Sequence, residues 1–206
     1  MVRRLFFTSL LFCFSALAYG AGVDIRLGNE AAQFEYLFDS DSQIGIGGAD
    51  VGAAVFVNEE DDVLGTIGAI ITGSSAGKNR ALQFGAGARL YAAALDRSPG
   101  DVIDGEVVAP EDNDETIASL AIGGKASYIF PARTPMAVSL ELFYAPDITS
   151  FSDNENLLDV QLRFELEIAP STRLYVGYRS LEAKLKYSGD DYVLDDSGHV
   201  GVRFSF

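Results

Sequence analysis

The end of this chain alternates strictly between apolar side chains and polar or small ones over eight residues. Successive side chains of a β-strand point to opposite faces, so this pattern predicts a strand with one wholly apolar face. The apolar face carries Val200, Val202, Phe204 and Phe206, and the other face carries His199, Gly201, Arg203 and Ser205. Such a strand needs its apolar face covered by a protein core or by lipid. The rest of the chain decides between these two environments.

The amino-terminal segment predicts export. Two arginines precede an apolar run from Leu5 to Leu17, which ends in a small-x-small motif. These are the parts of a cleaved secretory signal peptide. The run of 13 residues is shorter than the roughly 18 that a membrane-spanning helix needs. We therefore predict a signal peptide at residues 1–20, cut after Ala18 or Gly20, and a single domain at residues 21–206.

The composition excludes several classes of protein. Acidic residues outnumber basic residues by 30 to 15, which argues against a nucleic-acid partner. Hydrophobic residues make up 48% of the chain, which excludes disorder as its main state. Removal of the signal peptide takes away Cys13, the only cysteine, so no disulfide can hold the exported chain.

Ten segments after the signal peptide alternate like the final strand, separated by clusters of Asp, Asn, Ser, Gly and Pro. The clearest is Leu157–Ile168, where six aliphatic or aromatic side chains alternate with five polar ones. The other expected strands are Val23–Asn29, Ala32–Phe38, Gln43–Val57, Val63–Ile71, Ala81–Leu95, Thr116–Phe130, Met136–Tyr144, Thr172–Tyr187 and His199–Phe206. Gln43–Val57 needs a change of phase, for which Gly47-Gly48 would supply a bulge. Thr172–Tyr187 slips in phase between Tyr178 and Leu181.

The lengths of the strands and loops favour a membrane barrel. Most segments reach the roughly 9 to 11 residues that a tilted strand needs to cross a bilayer. Tight turns such as Pro170-Ser171 alternate with longer loops such as Asp96–Glu115, as in barrels with both termini on the periplasmic side. Strands in hydrocarbon must close so that every backbone group finds a partner. We therefore predict an all-β fold, a single antiparallel up-and-down transmembrane β-barrel of about ten strands.

The polar faces of these strands would then point into the lumen. Ten strands enclose little more space than side chains can fill, so paired charges are expected to plug much of it. The charged residues expected there are Arg26, Glu35, Arg89, Lys125, Glu141, Arg163, Glu165, Glu167, Arg173 and Arg203.

A family resemblance rests on three short stretches: Tyr144-Ala145-Pro146-Asp147, Val176-Gly177-Tyr178-Arg179 and the ending from Val200 to Phe206. These stretches resemble the YfaZ family of bacterial outer-membrane barrels. The terminal Phe on an alternating strand also resembles the assembly signal of such barrels. The resemblance implies an outer-membrane location, no established enzymatic activity, and no catalytic or binding residues to carry over. The acidic insertion at Asp96–Glu115 is longer than the usual loop of the family.

His199 is the only histidine and the only candidate for a catalytic base. Ser197 and Asp195 lie nearby in sequence, and outer-membrane hydrolases use these residue types together. Other local motifs of such enzymes are missing, so a structural His hydrogen-bonded among barrel charges is the favoured interpretation. We predict no catalytic residues and no enzymatic activity.

The acidic loops are the candidate metal site, because carboxylate oxygens suit calcium and magnesium. The acidic stretches are Glu59–Asp62, Asp101–Glu115, Asp190-Asp191 and Asp195-Asp196. None has the spacing of an EF-hand, and charged loops that stay solvated and resist aggregation are the favoured interpretation. We predict no metal and no cofactor.

The function favoured by the sequence is a non-enzymatic integral outer-membrane barrel with a structural, interaction or narrow-pore role. A small-solute channel or transporter is the main alternative. A secreted β-sandwich adhesin and an outer-membrane hydrolase are less favoured. The expected partners are outer-membrane lipid, lipopolysaccharide and the barrel-assembly machinery, which would bind the C-terminal strand ending at Phe206.

Overall fold

The computed structural model describes most of the chain after the predicted signal peptide. The described residues are 21–40, 47–60, 62–74, 81–95, 102–103, 106–107, 115–152, 154–186 and 191–206. Residues 1–20 lie outside this part of the chain, as does most of the long acidic insertion.

Ten long antiparallel strands dominate the described residues. They are β1 (Gly22–Gly28), β2 (Ala31–Ser40), β3 (Gly48–Asn58), β4 (Val63–Ser74), β5 (Leu82–Leu95), β6 (Glu115–Phe130), β7 (Met136–Ala145), β8 (Asn154–Ala169), β9 (Thr172–Leu185) and β10 (Asp191–Ser205). Each strand pairs with its neighbour in sequence, and β10 pairs with β1, so the sheet closes on itself. The predicted up-and-down barrel of ten strands is confirmed.

The pairing register shows that the strands are strongly tilted. Tracing paired residues once around the barrel from Thr116 of β6 returns to Tyr128 of the same strand, twelve residues further along. In closed barrels such a stagger goes with a strand tilt of roughly 35–45°. The lumen of a ten-stranded barrel is then only slightly wider than one that side chains fill completely.

The two faces of the sheet have the polarity that the sequence predicted. On β8, Leu162 is 49% exposed on the outside, whereas its neighbours Gln161 and Arg163 are buried in the lumen. On β7, Leu140 and Leu142 are exposed outside and Glu141 is buried inside. The outside is therefore apolar and the inside polar, the reverse of a soluble sandwich.

The two ends of the barrel differ. One end, called the terminal end below, carries the first and last described residues. There the Phe206 N–H donates to the carbonyl of Ala21 at 2.8 Å and extends the pairing of β1 with β10. The turn at Pro170-Ser171 also lies at this end. The opposite end, called the loop end below, carries the connection between β3 and β4 and the longer connections.

The predicted slip in β9 is wrong. Arg179 and Leu181 are both buried in the lumen, and the inward alternation of β9 continues unbroken to Leu185. The irregularity lies in β10, where Leu194 is an extra residue between two regularly paired neighbours. The slip was inferred because Leu181 is apolar, but apolar residues near the loop end face inward.

The predicted bulge at Gly47-Gly48 stays a prediction, because Ile44 and Ile46, which carry the first half of the expected phase change, lie outside the described residues. Gly48 pairs with Thr72 in a continuous register. An irregularity lies across the hairpin at Phe38, between Leu37 and Asp39 of β2.

Two expected loops contain strand. β10 begins at Asp191, eight residues before the predicted start, and Ser150–Ser152 pairs with the beginning of β6 after a short 3-10 turn at Asp147–Thr149. A small hairpin pairs Val102–Ile103 with Glu106–Val107 in the acidic insertion. None of the helical residues in the described ranges forms a helix long and apolar enough to cross a membrane.

Candidate functional site in the barrel lumen

The lumen has two layers of different chemistry. Side chains in its middle and toward the terminal end are charged and linked by ion pairs. Side chains near the loop end form an apolar cluster. Both layers consist of inward-facing side chains. The polarity of these side chains therefore changes along the barrel axis, in addition to the change from one face of a strand to the other.

Asp159 of β8 is the most heavily contacted carboxylate of the charged layer. Arg179 of β9 donates to both of its oxygens, Nε to Oδ1 at 2.9 Å and Nη2 to Oδ2 at 2.7 Å. The hydroxyl of Tyr91 donates to Oδ2 at 2.7 Å, and Arg89 Nη1 approaches the same oxygen at 3.3 Å. Strands from opposite sides of the barrel are thereby tied together across the lumen.

Glu141 of β7 is the second centre. It pairs closely with Arg163 and lies 3.5 Å from Lys125 Nζ and 3.4 Å from Arg89 Nη2. Arg89 therefore joins Glu141 to Asp159 in one continuous network.

Glu165 of β8 extends this network toward the terminal end. Its Oε1 accepts a hydrogen bond from Ser139 at 2.9 Å and lies 3.8 Å from Lys125 Nζ. Its Oε2 lies 3.7 Å from Arg173 Nη1. Arg163 Nε lies 4.0 Å from Oε1, so three cations and a hydroxyl compensate this buried carboxylate.

Asp24 of β1 is the third centre, beside the closing seam of the barrel. Arg203 Nε donates to Asp24 Oδ2 at 2.7 Å, and the Tyr175 hydroxyl donates to the other carboxylate oxygen. Arg203 Nη1 also lies 3.5 Å from Asp50 of β3. These contacts link four strands around the point where β1 meets β10.

The apolar layer closes the lumen near the loop end. Its most completely buried large side chains are Phe56, Leu64, Tyr91, Leu95, Ile117, Phe143, Leu157, Leu181 and Leu185. Two arginines join the layers, because the guanidinium of Arg89 lies 4.3 Å from the ring centre of Phe143 and that of Arg179 lies 5.6 Å from Phe56. Cations stacked on aromatic faces make this boundary favourable.

A small cavity opens between the charged side chains. This cavity of about 50 Å³ lies beside Glu35, Asp50 and the wall formed by Gly52 and Gly68. A water molecule needs roughly 10–15 Å³ by this measure, so the cavity holds a few waters. A solute larger than that has no room in it unless side chains move.

Most of the charged residues that the sequence predicted for the lumen lie there, and further charged residues join them. Arg26, Arg89, Lys125, Glu141, Arg163, Glu165, Arg173 and Arg203 all make ion pairs there, and Glu35 lines the cavity. Glu167 is half-buried near the terminal end. Five further ionic residues of the lumen were not expected from the sequence: Asp24, Asp50, Asp159, Arg179 and Asp195. Strict alternation with Val23 and Ile25 would have placed Asp24 in the lumen.

His199 lies on the inward face, as expected, and is buried. Its Nε2 lies 3.2 Å from Gln161 Nε2, and its ring packs edge to face on Tyr175 with 5.9 Å between ring centres. Ser197 donates to Asp195 at 2.6 Å, while neither of them is among the described hydrogen-bond partners of His199. The geometry holds this histidine in a packed polar core and does not assemble a Ser-His-Asp relay.

Several acidic residues of these stretches have local partners. Asp62 accepts hydrogen bonds from Asn58 and Tyr192, and Asp195 lies 3.7 Å from Arg26 Nη2. Within the described ranges, no group of three or more His, Cys, Asp or Glu residues is arranged to hold a metal ion. Asp61, Asp190 and the acidic residues of 108–114 lie outside those ranges.

Comparison with known proteins gives one family and a distant structural likeness. A family model described as "YfaZ precursor" matches residues 104–206, half of the chain. The outer membrane channel DcaP of Acinetobacter baumannii is similar over 89% of this chain, at 15% identity and a TM-score of 0.39. The chain spans 54% of the length of that channel. A search of curated proteins found no match.

Proposed function

Because the chain belongs to the YfaZ family, we propose that it is a non-enzymatic integral outer-membrane barrel with a closed lumen. Its role is to support the membrane structure or to bind a partner, and this role depends on the outer surface and the loop end of the barrel. The filled lumen supports this proposal more than any other observation, because ion pairs and an apolar layer occupy the space that a solute would cross.

Membrane insertion is supported by the outward faces of the strands. Large apolar side chains such as Ile67, Ile71, Ile122 and Val176 are more than half exposed around the barrel. In water this surface would drive aggregation, whereas lipid covers it at no cost. The expected neighbours are therefore outer-membrane lipid and lipopolysaccharide.

Export and assembly complete the proposal. The signal peptide at residues 1–20 is removed on export, and the domain at residues 21–206 is inserted by the barrel-assembly machinery. That machinery reads the C-terminal strand ending at Phe206, whose side chain is 68% exposed beside the closing seam.

Planar-bilayer recording tests the closed lumen. The protein is purified from outer membranes, and its folding is checked by heat-modifiable migration in detergent gels. After reconstitution we expect no discrete conductance steps. Reproducible steps from the wild-type barrel would instead make it a small-solute channel, the main alternative from the sequence. Recovery of the processed chain as a water-soluble monomer would overturn membrane insertion itself.

A further inference from the structure

The loop end of β10 has a free edge in the described part of the barrel. β10 pairs with β9 from Asp191 to Phe204, but β1 covers its other side only from His199 to Ser205. β1 ends early because the first hairpin turns at Asn29-Glu30. Among the described residues, no strand therefore lies beside the backbone of residues 195–198 on that side. Unpaired N–H and C=O groups of this kind are a template for another strand.

The free edge is bounded on both sides along β10 by contacts with other strands and loops, and we call the space between these contacts the notch. Toward the start of β10, Asn58 Nδ2 donates to the Leu194 carbonyl at 3.3 Å, and the Tyr192 hydroxyl donates to Asp62 at 2.8 Å. Toward the terminal end, Gly28 lies so near Ser197 that a Cβ at Gly28 would be 2.9 Å from the Oγ of Ser197. Between these contacts is a depression of about 220 Å³, bounded by residues 30–31, 58–60 and 193–197.

The notch lies beyond the apolar belt of the barrel. Val176 and Val200 are exposed in the belt, whereas further toward the loop end Asp196 of β10 and Glu182 and Lys184 of β9 take the outward positions. Charged outward side chains mark the part of a membrane barrel that stands in water. A partner can therefore reach this edge from the aqueous side.

The lining of the notch is acidic. Glu30, Glu59, Glu60 and Asp196 are exposed carboxylates around it, and none of its lining residues is basic. The buried Asp195 is compensated from the lumen by Arg26 and Arg179, at 3.7 and 3.9 Å, so those cations do not face the notch contents. A guest of positive charge is favoured there.

We propose that this edge binds a short extended segment of another polypeptide that carries lysine or arginine. The backbone of the guest adds to the edge of β10 at residues 195–198, and a basic side chain enters the acidic depression. The acidic insertion of the chain itself is the wrong occupant, because residues 96–114 contain seven acidic residues and one arginine. A second copy would bring the same carboxylates face to face.

Peptide binding tests the proposal with the barrel folded in detergent micelles. The probe is a dye-labelled eight-residue peptide of alternating lysine and valine, followed by fluorescence anisotropy. We expect saturable binding that weakens at least tenfold in Glu59→Lys. The matched control is Asp147→Lys, which reverses an exposed charge on the 3-10 turn between β7 and β8 and should leave binding unchanged.

A second peptide separates strand addition from simple charge attraction. It has the same sequence with every backbone nitrogen methylated, so it keeps its charge but cannot donate a backbone hydrogen bond along either edge. We expect its affinity to fall at least tenfold. Equal binding of both peptides, equal weakening by Glu59→Lys and Asp147→Lys, or absence of binding by the lysine-valine peptide would overturn the proposal.

Cross-linking locates the peptide. In the processed chain, which lacks Cys13, Val193→Cys places a thiol at the notch and Ile148→Cys places one on the 3-10 turn, where Ile148 is 86% exposed. A cysteine-bearing form of the peptide should form a disulfide with the first variant and not with the second. Preference for the second would contradict the site. Conductance plays no part in these readouts, so their failure would leave the closed-barrel proposal standing.

Discussion

Arg179 clasps Asp159 through two parallel hydrogen bonds in the middle of the lumen, at 2.9 and 2.7 Å. The pair joins β9 to β8, and Tyr91 and Arg89 approach the same carboxylate from β5. A planar guanidinium fits a carboxylate in this two-pronged geometry better than any other side chain does. The pair is the point where the charged layer is tied to the residues of the apolar layer.

Removing Asp159 should destabilise the barrel more than removing Arg179. Asp159→Ala leaves the buried guanidinium of Arg179 and the partly exposed one of Arg89 short of a carboxylate. Losing one partner of a buried pair costs about 3–5 kcal/mol. Arg179→Met leaves Asp159 with Arg89 and Tyr91, so its cost should be smaller. Urea unfolding in micelles, followed by circular dichroism and gel migration, measures both.

An exposed ion pair provides the comparison. Lys184 and Glu155 lie 3.3 Å apart at the loop end, with side chains 39% and 42% exposed. Glu155→Ala should cost less than about 1 kcal/mol, because water screens such pairs. Equal losses for Asp159→Ala and Glu155→Ala would mean that the lumenal network does not hold the barrel together.

The alternation of the sequence predicted the barrel because lipid requires one apolar face along every spanning strand. Leu162 and Arg163 were assigned to the correct faces from this pattern alone. The alternation of apolar and polar side chains does not identify the parts of strands that extend beyond the lipid. The strand from Asp191 to Gly198 was therefore taken for a loop, because its three apolar residues are consecutive rather than alternating and are followed by Asp, Ser and Gly.

The apolar layer could not be predicted from alternation for a related reason. Leu181, Ala183 and Leu185 are apolar and face inward, so they look like lipid-facing residues that are out of phase. Only the register of β9 with β8 fixes their direction. The ion pairs likewise depend on strand tilt, which brings Arg89 next to Asp159 although 70 residues separate them.

A charged side chain introduced on the outer face of the barrel should lower the free energy of unfolding. Leu162 is 49% exposed at the outer face of β8, and Leu162→Arg should cost about 2–4 kcal/mol if it faces the middle of the bilayer. Gln161→Asn on the lumenal side keeps the amide and should be milder. Unfolding in phospholipid vesicles measures both, and equal tolerance at the two positions would count against lipid exposure.

Two glycines of the sheet should respond differently to alanine. A Cβ at Gly123 would lie 2.0 Å from the carbonyl oxygen of Leu142 and 2.7 Å from the Cα of Phe143, and backbone cannot move aside cheaply. At Gly65 the nearest atom would be 3.7 Å away, an ordinary contact. Gly123→Ala should cost about 1–3 kcal/mol by crowding, whereas Gly65→Ala should be neutral or slightly stabilising. Similar effects at both sites would contradict the close packing of β6 on β7.

His199 should not support hydrolysis. A general base needs a free nitrogen within reach of a substrate, but Nε2 of His199 faces Gln161. Its Nδ1 has no hydrogen-bond partner among the described residues, yet it is buried with the ring, which packs on Tyr175 inside the filled lumen. Assays of refolded protein with phospholipid, lipopolysaccharide and peptide should give the same result for wild type and His199→Ala. The control Gln161→Ala separates chemistry from packing, because it disturbs the same contact without removing a base. Cleavage that His199→Ala abolishes and Gln161→Ala retains would identify the barrel as an outer-membrane hydrolase.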